Sequence, residues 1–193
     1  LALARARSAQ HPELSFLLSD ATTARFEDPF DVVISRFGVM FFEDPVLAFT
    51  NLRGALVPGG RVAFVCWQHP SENEWVTVPM AAARALLPDV AAPAPGTPGP
   101  FAFADADRLR AILENAGFVD VAIAPRRSPL SMGDDADDVL LQLRRIGPLA
   151  RAIADVSEDV ATRALSSARD AVMARAGDGP PPARAITASR AEE

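Results

Sequence analysis

Ser35, Arg36 and Phe37 are the residues whose types and spacing most readily do chemistry in this chain of 193 residues. A hydroxyl, a guanidinium and a ring follow directly on a short apolar run, Phe30-Asp31-Val32-Val33-Ile34, and Gly38 supplies a hinge behind them. The run is rich in β-branched residues and stands after Pro29, which predicts a fully buried strand packed on both faces. In open α/β sheets, ligands sit in the crevice outside the carboxyl ends of the strands. A guanidinium there is costly unless it meets an anion or a carboxylate. The triplet therefore reads either as a ligand site or as an Arg paired with a nearby Asp or Glu beside a core Phe.

A second group follows the next apolar run, residues 61–67. Trp67, Trp75 and Phe101 could form the apolar wall of a substrate pocket, or pack as core. His69 stands just past the strand end, where it could act as a general base or lie solvated in a loop. Asn73 and Glu74 are polar candidates beside it.

The elements that must position these groups follow from punctuation and periodicity. Residues 1–10 read as the end of a helix stopped by His11-Pro12. Residues 14–19, LSFLLS, have strand length and close on Asp20-Ala21. Asp44-Pro45 predicts an N-cap with proline at the first helical position. The helix runs to about Leu56, with Val46, Phe49 and Leu52 near one face. Val57-Pro58-Gly59-Gly60 stops it, and residues 61–67 form the next buried strand. Two strands joined by such a helix form a right-handed parallel βαβ unit. Residues 75–87 are helical with Pro79 in a first turn or kink, and 88–100 form a surface loop. A helix over 107–115, with Leu109, Ile112 and Leu113 inward, ends at Gly117. Residues 118–124 make a strand alternating at Val119, Val121 and Ile123, broken at Pro125. Residues 134–142 and 149–176 are helical, the first opened by four Asp residues that favour a helix N-terminus. A turn at 177–182 leads to a weak strand, 183–189. This pattern predicts an α/β, Rossmann-like doubly wound, mostly parallel sheet, with added helices over its carboxyl edge. The whole chain reads as one domain, in which 68–100 and 130–177 are cap or insertion segments.

Composition narrows the function. The net charge of −6 argues against a nucleic-acid or anionic-membrane partner. One cysteine, Cys66, allows no internal disulfide and gives no metal spacing. A reducing, cytoplasmic setting fits. No apolar run approaches the roughly 20 residues of a membrane-spanning helix.

Ser35–Phe42 (SRFGVMFF), Asn51–Arg61 (NLRGALVPGGR) and Pro98–Asp105 (PGPFAFAD) occur in that order. As an ordered set they resemble the later part of class I S-adenosylmethionine-dependent methyltransferases of the small-molecule branch. The resemblance runs over nearly the whole chain and is most specific over 30–67 and 98–117. It implies transfer of a methyl group from S-adenosylmethionine to a small organic acceptor. It also implies that Asp20 accepts a hydrogen bond from the adenine amino group, while the amide of Ala21 reaches a ring nitrogen. An ionised Asp is acceptor-only, which suits that role, although Asp also caps turns. Ser35, Arg36 and Phe37 match the positions lining the methionine end of the cofactor. The substrate side would then include Trp67, His69, Asn73 and Trp75.

The 193 residues depart from the family pattern in one respect: no glycine-rich GxGxxG-like loop occurs, nor the acidic residue that holds the ribose. The chain also begins at Leu1 inside a helical pattern, so it is expected to be a fragment. Two strands that in the family lie between 14–19 and 30–34 would be missing, leaving an unpaired strand edge. A non-catalytic domain of this fold, acting as a binding or dimerisation partner such as a homodimer, is the alternative. A nicotinamide oxidoreductase is disfavoured, because no dinucleotide fingerprint occurs.

Overall fold

The computed structural model describes residues 1–88, 94, 96–127 and 130–175, together with the backbone of 182–190. Four strands form one sheet in the order β1-β2-β4-β3: β1 Phe30–Arg36, β2 Leu56–Trp67, β3 Phe118–Arg127 and β4 Pro182–Arg190. β1 and β2 run parallel, with Val33 opposite Val62 and Ser35 opposite Phe64. β4 lies antiparallel between β2 and β3, so three of the four strands point the same way.

The link between β1 and β2 is the helix α2, Pro45–Gly54. Asp44 caps it, accepting from the Leu47 amide at 2.9 Å, with Pro45 in the first turn. The β1–β2 register then jumps from Phe30↔Leu56 to Val32↔Arg61, so 57–60 form an irregular excursion within β2 rather than a turn ahead of it. Gly59 takes φ 75°, and a Cβ on Gly60 would lie 2.8 Å from the Val57 carbonyl oxygen. Glycine is required at both points.

α2 and α4 (Ala106–Asn115) cover one face of the sheet. Phe49 is fully buried there, with ring centroids 5.5 Å from Phe64, 6.0 Å from Phe103 and 6.4 Å from Phe118. Burying one such side chain contributes about 1.5–3 kcal/mol. Leu109, Ile112 and Leu113 of α4 close this core. A second cluster joins α3 (Glu74–Ala83), α5 (Ala136–Arg145), α6 (Gly147–Ala152) and α7 (Glu158–Arg175). Ser167 on α7 donates to the Ala82 carbonyl at 3.0 Å, and Arg175 pairs with Glu74 at 2.8 Å, tying α7 along α3.

Several expectations need correction. Residues 14–19 form no strand, and Leu18 is 83% exposed. A strand exists only as a member of a ladder, and no described residue pairs with this run. β1 is not buried on both faces. Val33 packs on the core, whereas Ile34 is 80% exposed. β1 is an edge strand, and the helix layer covers only the face that Val33 shares.

In β3 Phe118 at 2% exposure and Val121 at 9% are buried, whereas Val119 is 40% exposed. Asp120 adopts φ 51° and the register slips between Val119 and Ala122, so a bulge reverses the alternation. β3 also continues through Pro125 to Arg127; on an edge strand a proline costs no ladder bond. The predicted helix over 149–176 is two helices, α6 and α7, while α5 begins at Ala136 behind the cap of Asp135. α1 spans Ala2–Arg7. The turn expected at 177–182 and part of the loop at 88–100 lie outside the described residues.

Candidate functional site

β1 and β2 deliver their last residues to the same place. Phe37 follows β1 directly, and its amide bonds to the Val65 carbonyl at 3.1 Å. It adopts φ 56°, in the left-handed region that costs a residue with a side chain free energy. That turn sets its ring face to face with Trp67 at the end of β2, 4.2 Å between centroids and 14° between planes. Ser35 steadies the turn by accepting from the Gly38 amide at 3.3 Å.

Trp67 in turn meets Trp75 on α3 at 4.9 Å, and Trp75 stacks near Phe101 at 6.1 Å. Asn73 positions Trp75. Its side chain is fully buried, donates to the carbonyls of Gln68 at 3.0 Å and His69 at 2.8 Å, and accepts from the Trp75 indole N–H at 3.3 Å. The other side of the Trp75 ring abuts Gly147, where a Cβ would lie 2.7 Å from Cζ3.

The rings of Phe37, Trp67 and Trp75 bound a cavity of about 310 Å³ at the carboxyl ends of β1 and β2. Arg36, Phe37 and Trp67 come from the sheet, and Trp75, Val76 and Pro79 from α3. Leu130, Ser131 and Met132, with Gln142 and Leu143 of α5, form the opposite side. The wall is overwhelmingly apolar. Arg36 is the charged residue on it, and it makes no ion pair with any described residue.

Four of the candidate residues, Arg36, Phe37, Trp67 and Trp75, thus meet in one cavity. The others lie elsewhere. Ser35 and Asn73 support it from behind without lining it. His69 is exposed, its Nδ1 engaged with Ser71 (Oγ at 2.8 Å, amide at 3.3 Å), where it caps a short 3-10 turn, Pro70–Glu72. Asp20 and Ala21 are not on the cavity wall. Asp20 Oδ1 accepts from both the amide and the hydroxyl of Thr22 at 2.8 Å, and these bonds hold its carboxyl below the ordinary aspartate range. Both bonds fall on Oδ1, which leaves Oδ2 open to a donor such as an amine.

One feature escapes the sequence reading. Asn51 on α2 clasps the Asp20 segment: it donates to the carbonyls of Ala21 and Ala24, each at 2.9 Å, and accepts from Arg25. A polar amide in the body of an amphipathic helix was the available signal. Residues of 130–149, read from the sequence as part of a cap segment, lie on the cavity wall. Among the described residues, no group of three His, Cys, Asp or Glu side chains is placed to hold a metal ion, and no helix is long and apolar enough to cross a membrane.

Residues 1–64 match the family model described as a methyltransferase domain. Among solved structures, the chain aligns over its full length with 41% of phosphoethanolamine N-methyltransferase 2 from Haemonchus contortus bound to S-adenosyl-L-methionine (TM-score 0.52, 19% identity). It also aligns over 98% of its length with 78% of a putative methyltransferase from Bacillus halodurans (TM-score 0.50, 15% identity). The fold is that of the class I methyltransferases. A curated relative, a demethylmenaquinone methyltransferase from Renibacterium salmoninarum, is 26% identical over 122 residues, covering 58% of this chain and 52% of the relative. The chain therefore spans about half the length of that curated methyltransferase.

Proposed function

We propose that this chain serves methyl transfer from S-adenosylmethionine to a small organic acceptor, which occupies the cavity at the ends of β1 and β2. The observation that carries the reading is the convergence of Arg36, Phe37, Trp67 and Trp75 on one apolar cavity at the carboxyl edge of a methyltransferase-type sheet. The cofactor, when bound, supplies an activated methyl group, so the chain's task is to align an acceptor with it. Asp20, through its open Oδ2, and the Ala21 amide are the proposed adenine contacts. Ser35, Arg36 and Phe37 are proposed at the methionine end, beside the acceptor. Segments 68–100 and 130–177 act as the cap that keeps water from the cavity. The setting proposed is cytoplasmic, with small molecules rather than nucleic acid as partners, and two copies can pair through the outer edge of β1.

The test is incubation with methyl-labelled S-adenosylmethionine at millimolar concentration and a panel of small apolar acceptors. Label appearing in the small-molecule fraction, and lost in Trp75→Ala, supports the reading. Cofactor binding without label transfer to any acceptor favours a non-catalytic domain of the same fold.

A further inference from the structure

We infer that the cavity is built for a small aromatic anion, with its ring against the Trp67–Trp75 wall and its carboxylate or equivalent oxyanion on Arg36. This rests on the methyl-transfer reading only in calling that ligand the acceptor; the ligand's chemistry is read from the wall itself. About 310 Å³ lies at the low end of ligand pockets, which excludes long chains and peptides. Phe37, Phe41, Trp67 and Trp75 give flat apolar surfaces, and Met40 and Met132 add polarisable sulfur suited to a ring. Arg36 is solvent-exposed, lines the cavity and pairs with no described carboxylate. Beside so apolar a wall its charge repels a cationic ligand and favours an oxyanion, held through two parallel N–H donors. Gln142 offers a further donor on the cavity wall. The same carboxylate chemistry is present on the methionine end of the cofactor, so the experiment must separate the two sources.

Both tryptophans of the chain line the cavity, so intrinsic fluorescence reports on it directly. The probes are 1-naphthoate, the uncharged 1-naphthamide, cyclohexanecarboxylate and 1-naphthylmethylamine. Naphthoate is expected to bind at least about tenfold tighter than naphthamide and naphthylmethylamine, the scale of a hydrogen bond to a charged group, and at least about threefold tighter than cyclohexanecarboxylate, the scale of an aromatic pair. In Arg36→Gln the naphthoate-over-naphthamide preference should fall to within about twofold while naphthamide binding persists. Persistence of naphthamide binding also shows that the variant is folded. Equal binding of naphthoate and naphthamide by the unaltered chain overturns the proposal. So does a preference that survives Arg36→Gln, or cyclohexanecarboxylate matching naphthoate. In a second arm, S-adenosylhomocysteine is compared with 5′-methylthioadenosine, which lacks the amino-acid carboxylate. If Arg36→Gln weakens only the former and leaves the naphthoate preference intact, the charge serves the cofactor and the proposal fails. If neither nucleoside binds at concentrations well above about 1 mM while naphthoate does, the methyl-transfer reading fails and the ligand class stands.

Discussion

The ring of Phe37 lies 4.2 Å from that of Trp67, with the two planes 14° apart. This one stack joins the exits of two parallel strands and forms one side of the cavity. It is reached only because Phe37 holds φ 56°. Both Phe37→Ala and Phe37→Gly lose the stack, worth about 0.5–1.5 kcal/mol beyond burial. Alanine keeps the left-handed strain and glycine does not. Phe37→Gly is therefore expected to be the more stable of the two by about 1 kcal/mol in urea unfolding. Equal or reversed midpoints would mean that the positive φ is not retained in solution.

Asn73 is the residue on which the placement of Trp75 depends. Asn73→Ala leaves the carbonyls of Gln68 and His69 without their side-chain donor, at a cost of about 1–3 kcal/mol. Asn73→Asp should be at least as costly, because a carboxylate only accepts and would face two carbonyl oxygens. Denaturant midpoints of the two variants decide this, and a neutral Asn73→Asp would refute the assigned geometry.

Asp20 gives a pH dependence of known sign. Thr22 holds its folded pKa below the ordinary aspartate value. The carboxylate therefore favours the folded state above that ordinary value, and its contribution is lost as pH falls through the lowered one. The stability gap between the parent chain and Asp20→Ala should be full at neutral pH and close only in strong acid. A gap that widens on acidification would contradict the Thr22 bonds.

Much of this was legible in sequence because local chemistry and tertiary context agreed. Asp44-Pro45 opened α2, Leu109, Ile112 and Leu113 turned inward, and the parallel pairing of β1 with β2 followed from the helix between them. The misses share one cause: they depend on what lies beside a segment rather than within it. Residues 14–19 have strand composition, yet no described residue offers them a ladder. Val32 and Ile34 look like core residues, yet they lie on an edge strand's uncovered face. Val121 and Ile123 face the core as their alternation predicts, but Val119, on the other side of the bulge at Asp120, faces out. For the site, the aromatic and charged residues at strand exits were readable. A cap after Pro129 was readable from the apolar face of 134–149, whereas the clasp of Asn51 on the Asp20 segment was not, because a helix side chain that reaches a distant loop leaves no local pattern.

The outer edge of β1 pairs with no described residue, and Ile34 stands exposed on it. Such an edge templates association with another chain. Sedimentation of the 193-residue chain should show concentration-dependent self-association that Ile34→Lys suppresses. A parent chain that stays monomeric at every accessible concentration would remove β1 as a pairing edge.

Amide NMR during titration with S-adenosylhomocysteine decides whether the strand exits of this fold hold the cofactor. The 193 residues carry no glycine-rich loop to cradle the ligand's backbone contacts. Affinity should accordingly be weak, with a Kd near or above about 1 mM. The amides that move should be those of Asp20, Ala21 and Thr22 and of Ser35 to Gly38, with Asp20→Ala weakening binding by about tenfold or more. Saturable shifts confined to other parts of the sheet, or none at these two segments at saturating ligand, would contradict the account.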